Sequence, residues 1–128
     1  MRHDILSDVL SIIKNGNKMG KKEVVTPSSS MVKEVLLIFQ KHGYIGEFEL
    51  IDDNKGGKIR IELNGKVNSC GSIRPRYSAT KDSYEKYERR FLPSATIGLL
   101  IVSTSSGVMT HNDAKKNNIG GKMLAFVY

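Results

Sequence analysis

Hydrophobic residues recur at helical spacing at the start of the chain, where Ile5, Leu6, Val9, Leu10, Ile12 and Ile13 share one stripe. The stripe predicts a first helix capped by Asp4 and ended by Asn15-Gly16-Asn17. Glu23 to Thr26 reads as a brief strand stopped by Pro27. A second stripe, Val32, Val35, Leu36, Ile38 and Phe39, predicts another helix. Ser28, Ser29 and Ser30 offer its N-cap, and Gly43 closes it. Strands are expected over Tyr44 to Ile51 and Lys58 to Leu63, joined by the hairpin loop Asp52 to Gly57. In the second of them Ile59, Ile61 and Leu63 alternate with Lys58, Arg60 and Glu62, which gives one dry and one wet face.

Past Asn64-Gly65 the pattern changes. Lys66 to Thr96 is irregular, basic and turn-rich, with a short helix expected around Ser83 to Leu92 before Pro93. Ile97 to Val102 is almost wholly apolar, as in a central strand buried on both faces. Thr110-His111-Asn112-Asp113 resembles a capping box opening a helix that ends before Gly120, and Met123 to Tyr128 reads as a final strand. The expected fold is therefore α/β (α+β) in two small lobes. Residues 1–65 would form a helix-strand-helix-strand-strand lobe, and residues 66–128 a mostly antiparallel β lobe with a short helix.

Composition narrows the function. With 39% hydrophobic and 26% charged residues over 128 positions, the chain has the material for a core and should fold. The formal charge is +7, and it is uneven. Residues 1–65 carry ten Lys/Arg against nine Asp/Glu, whereas residues 66–128 carry ten against four. A basic excess gathered in one half is the electrostatic footprint of a nucleic-acid binder. An anionic membrane would attract the same charge, but no strongly basic amphipathic helix accompanies it. No apolar run approaches the roughly 20 residues that span a bilayer. The single Cys70 excludes an internal disulfide framework, so a reducing, cytosolic compartment is expected.

Catalytic patterns are missing. His3, His42, His111 and Cys70 have no metal-ligand spacing, and no cofactor is implied. Ser103, Ser105 or Ser106 with His111 and Asp113 lacks the nucleophile-elbow pattern of a serine hydrolase, and helix capping already accounts for Thr110 to Asp113. No glycine-rich phosphate loop occurs either, since Gly120-Gly121-Lys122 leads into a strand. The expected role is binding, not catalysis.

What remains is a hydroxyl-dense loop, Ser103-Thr104-Ser105-Ser106-Gly107, placed after the apolar strand. Short hydroxyls and backbone amides can approach a phosphodiester or a base edge closely, although the same residues also simply make turns. Lys115 and Lys116 lie nearby in sequence and, with Arg74 and Arg76, are expected to join the loop in contacting the nucleic acid. Arg74 and Arg76 flank Pro75, and Tyr77 offers a ring for stacking.

These stretches together resemble a known family. Ser-Thr-Ser-Ser-Gly-Val-Met-Thr, the Ala-Lys-Lys helix, Gly-Gly-Lys and the terminal aromatic strand are similar to ribosomal protein eight of the small subunit, the S-eight family. Asp4-Ile5-Leu6 with Lys14-Asn15-Gly16, and His42-Gly43-Tyr44-Ile45-Gly46-Glu47-Phe48, extend the resemblance over essentially the whole chain. The segment Cys70 to Tyr77, and Lys122 where the bacterial pattern usually has Glu, resemble the archaeal and eukaryotic branch.

The resemblance implies a structural constituent of the small ribosomal subunit that binds the central domain of its RNA, supports assembly and translation, and meets neighbouring ribosomal proteins in the cytoplasm. It implies that Ser103, Thr104, Ser105, Ser106 and Gly107 enter an RNA groove, with Gly120, Gly121 and Lys122 on the same face. Lys14, Asn15, Lys18, Lys21 and Lys22 would meet a neighbouring RNA segment. A stand-alone RNA-binding translational regulator would share every one of these features. One position departs from the pattern: Ser30 stands where a basic residue commonly opens the second helix, with Lys33 as its substitute.

Overall fold

A computed structural model describes residues 5–51, 57–73, 76–94 and 97–128. The expected cap at Asp4, most of the hairpin loop (52–56) and Arg74-Pro75 lie outside the described residues. The chain divides into two compact units, one ending at Cys70 and the other beginning at Gly71.

In the first unit, helices α1 (Ile5–Lys18) and α2 (Ser30–Lys41) accompany a three-stranded antiparallel sheet. Its strands β1 (Glu23–Pro27), β2 (Phe48–Ile51) and β3 (Lys58–Glu62) lie in the order β1-β3-β2. Ser29 caps α2, its hydroxyl accepting from the Val32 amide at 3.2 Å. Gly43, at φ +80°, turns the chain out of α2 while Tyr44 N donates to Phe39 O and Gly43 N to Gln40 O. This pairing is a Schellman motif. It uses Tyr44 as part of the helix end, so β2 starts at Phe48 and not at Tyr44 as the apolar pattern suggested. Leu6, Val9, Leu10, Ile13, Val32, Val35, Leu36, Phe39, Ile59 and Ile61 are buried, whereas Ile5, Ile12, Ile38 and Leu63 of the expected stripes and alternation are half-buried at their margins.

Helix α1 also corrects the sequence reading. It runs through Asn15-Gly16-Asn17 to Lys18. Gly16 is buried, and a Cβ there would lie 2.7 Å from Leu63 Cδ1 and 2.8 Å from Val24 Cγ1. The glycine serves close packing of helix on strand, not helix termination. Asn17 accepts from the Gly65 amide at 3.0 Å, a tertiary bond that local pattern cannot reveal.

Cys70 is buried, and its thiol donates to Leu10 O at 3.3 Å. Burial pushes its pKa up to about 12 against the opposing pull of the Lys14 charge and backbone. The thiolate, the reactive form, is therefore suppressed at ordinary pH. The folded protein at pH 8 is expected to react with a thiol-directed disulfide reagent only as fast as it unfolds, while the urea-unfolded chain reacts at once. A fast reaction of native protein would contradict the burial of this group.

The second unit is built on a five-stranded antiparallel arrangement. Strands β4 (Cys70–Ser72), β8 (Gly121–Val127), β6 (Leu99–Thr104) and β7 (Gly107–Thr110) are neighbours in that order, and β5 (Ser78–Ala79) also pairs with β8. β4 and β5 fall inside the stretch that the sequence presents as irregular, because they are held by pairing with β8 and not by local pattern. Helices α3 (Tyr84–Phe91) and α4 (His111–Lys116) pack on the sheet. Tyr84 and Tyr87 of α3, Ala114 of α4 and Leu100, Val102 and Met123 of the sheet form one buried cluster. The other side of β6 is dry as well, with Leu99 and Ile101 buried, so the apolar run does mark an inner strand.

Candidate nucleic-acid interface

The hydroxyl-rich segment is a tight hairpin. Ser103 and Thr104 finish β6, Gly107 opens β7, and Thr104 pairs with Gly107, which leaves Ser105-Ser106 as a two-residue tip. Gly107 has φ +113°, a backbone setting that side chains resist. Thr104 turns its hydroxyl back on the tip, accepting from Ser106 N at 3.1 Å and donating to Gly107 O at 2.8 Å. Its oxygen is therefore spent on shaping the turn. Ser105 and Ser106 are exposed.

Cross-strand register adds a row of side chains behind the tip. Ser103 of β6 pairs with Lys122 of β8, and Lys122 pairs in turn with Ser78 of β5. Directly opposed residues on antiparallel strands point to the same face. Ser103, Lys122 and Ser78 thus present hydroxyl, ammonium and hydroxyl side by side, with Lys122 and Ser78 exposed. Ser78 has no signal in the sequence, because two residues cannot show an alternation and only the β8 register places it.

Gly120 and Gly121 have a reason internal to the protein. A Cβ on Gly120 would collide with Ala79 O, and one on Gly121 with Ser103 O, besides standing 3.0 Å from Thr104 Cγ2. β5, β8 and β6 can close on each other only where these side chains are missing.

Helix α4 holds the other cations. Thr110 caps it, accepting from Asp113 N at 3.2 Å, as the capping-box pattern foretold. It ends in a Schellman turn, with Asn118 at φ 55° and Ile119 N donating to Ala114 O at 3.1 Å. Because Ala114 packs with Val102 and Met123, α4 covers the face opposite to Ser103 and Lys122. Lys116 is exposed. Lys115 is not: it is half-buried, and its ammonium pairs with the buried carboxylate of Glu88 on α3. The two lysines thus have different environments.

Tyr77, read as a free stacking ring, is already engaged. It stacks on Tyr87 with ring centroids 5.8 Å apart, and the Arg90 guanidinium stands 5.0 Å from its centre. Arg76 is exposed, and its neighbour Arg74 lies outside the described residues.

In the first unit Lys14, Asn15, Lys18, Lys21 and Lys22 are all exposed around the end of α1. Among the described residues none of these lysines, nor Lys116 or Lys122, forms an ion pair. By contrast Arg60 on the first sheet is flanked by Glu23 and Glu49, so that face is largely neutralised. Ser30 is the exposed first residue of α2, behind the Ser29 cap, and Lys33 is half-buried.

Small exposed hydroxyls, a preset hairpin and unpaired lysines suit a folded polyanion. The described residues contain no group of three or more His, Cys, Asp or Glu placed to hold a metal ion, and no helix among them is long and apolar enough to cross a membrane. The family model described as Ribosomal protein S8 matches residues 4–128. A protein of Methanosphaerula palustris named small ribosomal subunit protein uS8 is 48% identical over 128 residues, covering 99% of this chain and 98% of the relative. Its namesake in Picrophilus torridus is 45% identical over 129 residues, covering 100% of both. Matched from end to end in this way, the chain belongs to the Ribosomal protein S8 family.

Proposed function

We propose that this protein is a structural constituent of the small ribosomal subunit that binds the central domain of the subunit's RNA, acting in the cytoplasm beside neighbouring ribosomal proteins and without catalysis. The observation that carries the reading is the exposed Ser105-Ser106 tip with the Ser103–Lys122–Ser78 row, in the more basic half of a chain whose full length matches this family. A wide, shallow RNA minor groove displays 2′-hydroxyls and base edges, and short hydroxyls on a rigid turn can reach them. Lys122 within the row, and Lys14, Lys18, Lys21 and Lys22 on the other unit, add attraction that does not depend on sequence. Thr104, Gly107, Gly120 and Gly121 support the site by fixing its backbone; Arg76 on the second unit and Asn15 on the first supply further exposed polar groups.

The test is reconstitution. Purified protein is mixed with small-subunit RNA and the other small-subunit proteins of Methanosphaerula palustris, with the native uS8 left out, and sedimented through a gradient. Co-migration with the small subunit is expected. Binding of a messenger-RNA stem with exclusion from the subunit would identify a stand-alone regulator instead.

Lys116 separates charge from readout. Its exposed ammonium on α4 is expected to act on phosphate alone, so Lys116→Ala should weaken binding about equally for the cognate RNA and for an unrelated duplex. The salt dependence should become shallower by about one unit at most. A loss confined to the cognate RNA, measured by filter binding across a salt series, would contradict this assignment.

A further inference from the structure

Glu88 is the one acidic side chain of α3 that is buried: 4% of the residue is exposed, on a helix whose other charged residues face solvent. Its carboxylate is turned toward α4. Oε1 accepts from the Lys115 ammonium, and the same oxygen lies 3.5 Å from Nε2 of His111, the first residue of α4. His111 is 1% exposed, and its Nδ1 accepts from the Leu100 amide at 3.1 Å, so in the neutral ring the proton sits on Nε2, on the Glu88 side. That Nε2 has no hydrogen-bond partner of its own, which leaves Glu88 as its nearest countergroup. Burial holds the His111 pKa below its ordinary value, with Glu88 pulling it up and Lys115 pushing it down. A third contact reinforces the arrangement: Tyr84, one turn earlier on α3, donates its hydroxyl to Ile119 O at 2.9 Å, just past the end of α4.

Helix α4 is short, and a six-residue helix has little stability of its own. It leaves β7 at Thr110 and hands the chain through Ile119 to Gly120, Gly121 and Lys122. Whatever fixes α4 therefore fixes both the hairpin strand and the start of β8, which carry the proposed RNA-facing residues. A buried carboxylate is an expensive way to hold a helix unless its charge is matched, and Lys115 matches it.

From this geometry we infer that Glu88 and Lys115 are a pair of positioning residues for RNA binding, and that Lys115 acts through Glu88 and not through contact with a phosphate. The inference rests on the RNA-binding reading above. It gives the two neighbouring lysines of α4 opposite roles: Lys116 faces the solvent and its anions, Lys115 faces the protein.

A charge-cancelling cycle tests it. Wild type, Glu88→Gln, Lys115→Met and the double variant are titrated with a transcript of the small-subunit RNA central domain from Methanosphaerula palustris, at several salt concentrations. Lys115→Met leaves the buried Glu88 carboxylate unmatched and is expected to weaken binding about tenfold, within the range for directly coupled charges, whereas Glu88→Gln frees the half-buried Lys115 ammonium to reach water and should weaken it less. The double variant removes both charges, and its affinity should return to within about twofold of wild type with the salt slope unchanged. If a single variant does not fold, the double variant still decides the matter, since it has no unmatched charge. A double variant as weak as Lys115→Met, with a salt slope shallower by about one, would show a phosphate contact and overturn the inference. Failure of the wild-type protein to bind the transcript would instead overturn the RNA reading itself.

Discussion

Gly121→Ala is expected to lower the stability of the protein by about 2–3 kcal/mol, at the upper part of the range for overpacking. The added methyl group would be driven into the carbonyl of Ser103 on β6 and crowd Thr104 Cγ2 at 3.0 Å. Backbone cannot give way as a flexible side chain can, so the strands must part. Parting them breaks the Ser103–Lys122 register and with it the row that lies behind the hairpin tip. Thermal unfolding followed by circular dichroism should show a midpoint lower by roughly 10 °C, with weaker RNA binding even in the folded fraction. An unchanged midpoint would mean that the glycine has no such packing role and is there for the ligand.

The second large effect is on binding alone. Ser105→Ala combined with Ser106→Ala should weaken binding to the cognate RNA by about 1–3 kcal/mol, roughly five- to 150-fold, as expected for lost hydrogen bonds in a desolvated interface. The thermal midpoint should hold, because the shape of the turn comes from the Thr104 hydroxyl and the backbone of Gly107, and neither substitution touches them. Affinity and stability move apart here, whereas Gly121→Ala moves both. If the double alanine variant binds like wild type, Ser105 and Ser106 are only a turn.

Most helices and one sheet could be read from the chain because their causes are local. Ser29 and Thr110 are caps with side-chain bonds to the residue three positions on, and the stripe of α2 and the alternation of β3 repeat within a few residues. The errors share one origin. Gly16 reads as a helix stop unless one knows that Leu63 and Val24 press against it, and Asn17 reads as a turn residue unless Gly65 is in view. β4 and β5 are three and two residues long and exist only as partners of other strands.

The candidate residues, as distinct from any role, were visible in part. The run of serines and threonine stood out, and so did the lysines after α1. What could not be seen was the division of labour within the run: Thr104 shapes, while Ser105 and Ser106 are presented. Ser78 enters only through its pairing with Lys122, and Glu88 reaches Lys115 across 27 residues of chain. Two adjacent lysines look alike in sequence, yet burial gives Lys115 and Lys116 different surroundings.

Everything proposed turns on whether the hairpin end of the second unit is where RNA docks, and backbone amide signals report that residue by residue. The measurement is a nuclear magnetic resonance titration of isotope-labelled protein with the central-domain stem. The predicted result is that the amides of Ser103, Ser105, Ser106, Gly107, Lys122 and Ser78 shift or broaden together as RNA is added. Perturbation elsewhere on the chain that left all six unmoved at saturating RNA would contradict the account.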